Sequence, residues 1–493
     1  MEKKQSLSGT DGMVTPPISA ARRSYEVDAK DRRLLLAAVL LGILCTDVLY
    51  YGTLGLGVTV AAAGWYGMLF WYGGMEPLVC LEHRLLLTAA GLLALSFTLF
   101  SNDWLRLWNL VALTCVMALQ TAGWTRPSKP VHTPLGFLER LEQLGDGLFM
   151  RLGAAAQTAA SVRALSGKKT LWAILLGLVV CVPLLAVVFP LLTAADALFS
   201  HLTEETVRWI YLHLSGWMAR ILLGLCLAPF FFSLLYAQRR PEPRRGRTEQ
   251  CPCPKVNSAL PITVLVVMDL LYACFLAVQF AALFGGEAYL TRMGICYAEY
   301  ARSGFFQLVF VALLNLALVL LALGCCGREN AGFRAVQILS SVLVAASGVL
   351  LVSAVGRMTL YVQAYGLSFK RALTYWGMAM LAIFLLAALW KIWCSRAVFF
   401  KVLFTVSLAG WIILNFANVD GLVAQYNVVR GLEPQAVLSV SGETLAALPA
   451  LEKLAESYPQ DTELEQAIAA LRRQAEWETS RWETWSVMTQ LNR

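Results

Sequence analysis

The sequence predicts an all-α fold: a polytopic integral membrane helical bundle of about eleven transmembrane helices with a small C-terminal extracytoplasmic helical tail. Three observations predict it. Hydrophobic residues make up 58% of the 493 and charged residues 15%, with a mean hydropathy of +0.62; a soluble globular chain carries about 25% charged residues. Apolar runs of about 20 residues recur along the chain, each long enough to cross a hydrocarbon core of about 30 Å. The strands of about ten alternating residues that mark a membrane β-barrel are not the pattern here.

Taken in order, residues 1–33 are polar and basic, contain Pro16 and Pro17, and read as a disordered basic cytoplasmic tail without a cleavable signal. Four apolar runs follow at about 34–51, 55–72, 84–100 and 104–124, the second Gly-rich, and form an N-terminal four-span unit over 34–124. Residues 125–170, with LGFLERLEQLGDGLFMRLGAAA, form a basic amphipathic stretch suited to the inner membrane surface. Seven further spans are expected at about 171–190, 215–237, 260–284, 304–324, 335–356, 372–390 and 398–416, within a core of 171–429. Residues 238–258 are a Pro/Arg-rich linker. Residues 430–493 carry two helical patterns, ETLAALPALEKLAES and one that ends EWETSRWETWSVMTQ.

Lys and Arg set the orientation. With the N-terminus cytoplasmic, the inner segments hold 26 of them and the short outer loops six. The +8 net charge therefore reflects membrane topology and not a nucleic-acid partner. The expected surroundings are the lipid bilayer of the cell membrane, with the C-terminal tail outside and available to a protein partner.

One outer level collects polar side chains. The stretch YAEYAR supplies Glu299, Tyr300 and Arg302 at the mouth of the eighth span, with the Glu and Arg three residues apart on one helix face. GRMTLYVQAYGL places Arg357, Tyr361 and Tyr365 at intervals of four, and NFANVDGLVAQYN offers Asn418, Asp420 and Asn427. Asp196 lies at the edge of the fifth span. Polar side chains are expensive in lipid and face a bundle interior or a water-filled cavity. Three readings stand: interface anchors, with Tyr at headgroup depth and Arg snorkelling; a network that knits helix ends; or a ligand site.

YAEYARSGFFQL, RMTLYVQAYGL and NFANVDGLVAQYN, in that order, resemble the domain-of-unknown-function 4173 family of bacterial multi-spanning membrane proteins. SGETLAALPALEKLA and RWETWS are similar to that family's closing helix and tryptophan-containing end. The resemblance covers about residues 185–490 and departs after Asn427, where an acidic-tyrosine stretch is missing. It implies a topology and no activity.

Three charges, Asp269, Arg220 and Asp47, sit deeper in the bilayer. Asp269 lies nine residues into its span, about 13 Å from the inner edge. Arg220 is about 8 Å inside the outer start of the sixth span. Asp47 occupies the outer third of the first span, and Arg106 stands near the outer start of the fourth. Intramembrane ionisable groups point to relays or to buried pairs. For Asp269 the choice is a proton or cation relay, a partner such as Arg220, or a carboxyl protonated in lipid; Asp47 is the other candidate partner of Arg220.

No motif implies a metal or a cofactor. CPCP at 251–254 lacks the second pair of a zinc site. His201, Glu204, Glu205 and His213 match no metalloprotease spacing, and SGKKT lacks the upstream glycine of a phosphate loop. The four histidines leave little for His-based catalysis. The leading function is a non-enzymatic sensor, scaffold or accessory protein with an extracytoplasmic polar cluster. The alternatives are a transporter of a small polar or ionic solute, and an intramembrane enzyme acting on a lipid-linked substrate with Glu299 or Asp420 as base.

Overall fold

The structure is a computed structural model. It describes residues 25–50, 54–125, 129–163, 216–240, 257–284, 305–326, 331–394, 399–441, 444–482 and 484–492, with a few isolated positions besides. Among these residues all regular structure is helical. Eight helices are long and apolar enough to cross a membrane. The expected span at 171–190 falls almost wholly outside the described residues.

Helices α1 (Ala29–Tyr50), α2 (Leu56–Gly73), α3 (Leu81–Leu99) and α4 (Asp103–Ala122) run up and down at the expected positions. Of these, α1 and α4 meet the length and hydropathy of a span; α2 and α3 do not. Glycine and aromatic residues dilute α2, and α3 opens on Glu82, His83 and Arg84. Short helices α5 (Pro134–Gly145) and α6 (Leu152–Arg163) follow, joined by a π-turn over Asp146–Met150. The remaining long helices are α7 (Gly216–Arg239), α8 (Ala259–Phe284), α9 (Phe305–Cys325), α10 (Phe333–Tyr365), α11 (Phe369–Trp393) and α12 (Phe399–Phe416). The chain closes with α13 (Val419–Val429), α14 (Pro434–Ser441), α15 (Leu448–Ser457), α16 (Thr462–Thr479) and α17 (Val487–Leu491).

Two apolar cores organise the bundle. One joins α1–α4 to α7 through Leu34, Leu69, Leu93, Phe97, Leu113 and Phe232. The other joins α8–α11 through Leu265, Ala312, Leu343, Leu350 and Ala388. Helix α12 bridges them: Phe404, Leu408 and Trp411 pack on the first core, Val402 and Leu403 on the second. A third, smaller core inside the C-terminal helices is built on Leu445, Leu448, Leu451, Leu464 and Leu471.

The crossing of α1 and α7 depends on small residues. A Cβ added to Gly224 would lie 2.6 Å from the Ile43 backbone, and one added to Gly42 would meet the Gly224 carbonyl. Backbones this close are how helices gain packing in lipid, where burial from water supplies no drive. At the same crossing the Thr46 hydroxyl donates to the Arg220 carbonyl at 2.8 Å.

Ordered chain begins earlier than the expected end of a disordered tail at residue 33. Asp31 is fully buried and accepts from the Tyr72 hydroxyl at 2.6 Å and from the Asp28 amide at 2.8 Å. Arg240 pairs with Asp28 at 3.0 Å and with Asp31 at 3.3 Å. Two of the basic residues counted for orientation, Arg239 and Arg240, thus also neutralise acids of the N-terminal segment. The amphipathic stretch is docked as well. Arg140, almost fully buried, pairs with Glu82 and donates to the Leu119 carbonyl at 3.2 Å. Burial lowers the Arg140 pKa and the Glu82 charge opposes that shift.

Substituting Gly224→Val should destabilise the protein by about 1–3 kcal/mol through overpacking. Gly91→Ala, where an added Cβ meets nothing within 4 Å, should be neutral within about 0.5 kcal/mol. Thermal unfolding of the two variants in the same detergent measures the contrast.

Candidate functional site: the polar end of the bundle

Chain direction alternates, so α1, α3, α10 and α12 end where α2, α4, α7 and α11 begin. The C-terminal helices start at this end. Two polar knots form on it.

The first knot closes the end of α10. Gly366, with φ of +76°, breaks the helix and turns the chain into α11. Three side chains then satisfy the carbonyls and amides that a helix end leaves open. Asn427 is fully buried; its amide donates to the Leu367 carbonyl at 2.7 Å and accepts from the Leu367 amide at 2.9 Å. Arg430 donates to the Val362 and Gln363 carbonyls at 2.8 and 2.7 Å. Arg371 donates to the Tyr365 carbonyl at 2.9 Å and also to that of Gly366. Its guanidinium lies 4.3 Å from the Tyr361 ring centre, and Tyr361 packs on Tyr365 at 5.1 Å. Arg357 is buried one turn before Tyr361. The spacing of four therefore produces a stacked face, with its outermost member, Tyr365, half exposed.

The second knot ties α4 to the C-terminal helices. The Asn102 side-chain oxygen caps α4 by accepting from the Leu105 amide at 2.7 Å, while its amide donates to the Asp420 carboxylate. Asp420 is buried in the first turn of α13, where helix amides favour a negative charge. Arg106 is buried; it donates to the Phe100 carbonyl at 3.0 Å and faces Glu478 at 3.9 Å and Asp103 at 3.8 Å. Glu478 is 1% exposed, and it also accepts from Gln474 at 3.0 Å. The Thr484 hydroxyl donates to the Glu478 carbonyl at 2.6 Å. Next to this, the Leu56 amide donates to the Trp485 carbonyl at 2.9 Å. A Cβ on Gly55 would lie 2.5 Å from the Thr484 backbone, so only glycine admits the C-terminal segment here.

Asn418 plays a different part from the one its polarity suggests. It is the non-glycine residue with positive φ among the described residues, at +45°, between the end of α12 and the start of α13. Asn tolerates the left-handed region that a tight helix-to-helix corner needs. Its side chain makes no cap hydrogen bond.

Glu299, Tyr300, Arg302 and Asp196 lie outside the described residues. Asp47 pairs with Arg220, whose guanidinium also lies 4.5 Å from the Tyr50 ring centre. Asp269 is not brought to either group; both of its carboxyl oxygens are buried without a hydrogen-bond partner.

Several residues of the two knots escape a reading of span ends. Asn102 and Asp103 before the fourth apolar run have the form of an N-cap, a signal that was there to use. Glu478 continues a stripe of Leu464, Leu471 and Ala475 at helical spacing, and a carboxylate on an apolar stripe marks a buried partner. Arg371 and Arg430 carry no local sign that they cap a helix, because the helix they cap belongs to another segment.

A family profile described as Domain of unknown function (DUF4153) matches residues 87–454, from within α3 to within α15. The chain belongs to that family. Its name differs from the 4173 family that the motifs resemble, and it too is defined without an assigned activity. The DUF4153 match takes in the first knot whole and stops short of Glu478 and Trp485 in the second. Neither the curated proteins nor the solved structures contain a match.

Burial raises the Asp420 pKa, and the Asn102 hydrogen bond opposes this. Burial likewise raises that of Glu478, against hydrogen bonding by Gln474 and the Arg106 charge. A raised acid pKa means that the folded state holds more protons than the unfolded one, from the ordinary carboxylate range up to the raised value. Stability must then fall as pH rises through that window and level off above it. Melting temperatures of wild type and Asp420→Asn between pH 4 and 8 test this. Wild type should lose stability with rising pH, and the variant should show a shallower slope, with the remainder carried by Glu478.

Proposed function

We propose that this DUF4153 protein is a non-enzymatic scaffold or accessory protein of the cell membrane. Its N-terminus is cytoplasmic, about eleven segments cross the bilayer, and the C-terminal helices stand outside as a platform for a protein partner. One observation carries the reading: at the polar end, Asn102, Arg371, Asp420, Asn427 and Arg430 are hydrogen-bonded to helix ends or to one another, and the Arg106 and Glu478 charges face each other at 3.9 Å. Groups held this way are structural fasteners. The basic bias of the opposite loops supports the orientation.

The partner surface we favour is the outer side of α16 and the turn after it. Trp477 and Trp482 are 45% and 44% exposed, and the Arg481 guanidinium sits 5.4 Å from the Trp477 ring centre. Trp and Arg are enriched at the anchoring centres of protein interfaces. Tyr458 is exposed on the same set of C-terminal helices.

The reading is tested by native electrophoresis of the protein extracted from its own membranes in mild detergent. A complex larger than the protein alone is expected. The double variant Trp477→Ala and Trp482→Ala should lose it, and Asp269→Asn should keep it. Migration as the protein alone, together with solute uptake by reconstituted vesicles, would replace this reading by transport.

A further inference from the structure

Asp269 is not used by the fasteners at the polar end. It lies ten residues into α8, about 15 Å along the helix from Ala259. The face it occupies is defined by its neighbours. Ile262, Leu265, Met268, Tyr272 and Leu276 all pack into the core shared with α9 and α10, and Asp269 stands between Leu265 and Tyr272 at intervals of four and three. Its carboxyl therefore belongs to the seam that faces the bundle interior. Both oxygens are sealed from solvent, and neither has a hydrogen-bond donor.

The same seam carries further polar groups. The Tyr272 hydroxyl donates to Asn315 of α9 at 2.8 Å. The Asn315 amide donates to Ser347 of α10 at 2.9 Å, and the Ser347 hydroxyl donates to the Leu343 carbonyl at 2.8 Å. Asn315 and Ser347 are fully buried. Seven residues before Ser347, on the same face of α10, the Ser340 hydroxyl is fully buried and has no partner. The α8–α10 seam thus holds one satisfied chain of hydrogen bonds and two unsatisfied groups, one of them a carboxyl.

The charges around it decide its state. Along α10 no titratable residue occurs between Arg334 in its first turn and Arg357 near its far end. Helix α9 carries none before Cys325, and α8 itself adds Tyr272 on the seam and Cys274 exposed off it. Asp269 consequently has no cation among the described residues to hold it ionised. An unpaired, undonated carboxylate is disfavoured in such a place, which shifts the balance toward the protonated acid.

We propose that Asp269 is a proton-binding site inside the bundle, taking up a proton that exchanges with the aqueous phase, on the seam that also holds the Tyr272–Asn315–Ser347 chain. This goes beyond the scaffold reading and does not depend on it.

Dicyclohexylcarbodiimide, an apolar reagent that attacks protonated carboxyls in membranes, tests the proposal on the full chain in its native membrane. Adducts are mapped by peptide mass spectrometry. Asp269 should be labelled, with labelling that falls by about tenfold per pH unit above its midpoint. Asp47, held by Arg220, is the internal reference and should stay unlabelled. Sodium at high concentration should leave the labelling of Asp269 unchanged. The Asp269→Asn variant should lose the adduct from that peptide. Absence of an adduct on Asp269 would overturn the proposal. Labelling that is independent of pH would overturn it too, since it would mark a permanently neutral acid. Protection by sodium would overturn it in favour of a cation site.

Discussion

The structure turns on a buried ion pair that connects the first helices to the last. Arg106 near the start of α4 faces Glu478 at the end of α16, both almost wholly withdrawn from water. An isolated buried guanidinium would be costly; the Glu478 carboxylate 3.9 Å away offsets its charge and Nε donates to the Phe100 carbonyl, while its two terminal nitrogens and Glu478 Oε2 are buried without a hydrogen bond. The two residues are far apart in sequence, so their approach requires the C-terminal helices to lie against the N-terminal half, where the Leu56–Trp485 backbone bond and the close approach at Gly55 also join the two.

The second consequence concerns helix ends. A bundle with long apolar helices must dispose of the open carbonyls and amides where each helix stops, and burial makes each unsatisfied group expensive. At the end of α10 the donors come from α11 and from around α13, through Arg371, Asn427 and Arg430. At the start of α4 the cap Asn102 is shared with Asp420. Polar residues that look like a site when read along the chain are thereby distributed over the structural needs of several helices. At the opposite end Asp31 plays the equivalent part, gathering Tyr72 and Arg240 around one buried carboxylate.

Helix positions were legible in the sequence because hydropathy alone specifies them: the starts and ends of α3, α4, α8, α9 and α12 fall within a few residues of their apolar runs. The span count was less so. Helices α2 and α3 fall short of a span by composition, and residues 171–190 lie almost wholly outside the described residues. The apolar run ends near residue 356, while α10 continues to Tyr365, where Arg430 and Asn427 hydrogen-bond around its end. At the polar end, the sharing of one face by Arg357, Tyr361 and Tyr365 was readable from their spacing of four. The partners were not. Spacing says nothing of whether Asp420 meets Asn102 or whether Arg106 meets Glu478, because such pairings are set by how helices are arranged and not by local pattern.

Hydrogen–deuterium exchange in detergent, comparing wild type with Glu478→Ala, tests the dependence on the buried pair most directly. The segments to follow are 54–58 and 478–490. In wild type both should be protected, and in the variant both should lose protection together while α8–α11 keep theirs. Loss confined to 478–490, with 54–58 still protected, would contradict the claim that the Arg106–Glu478 pair fastens the two ends of the chain.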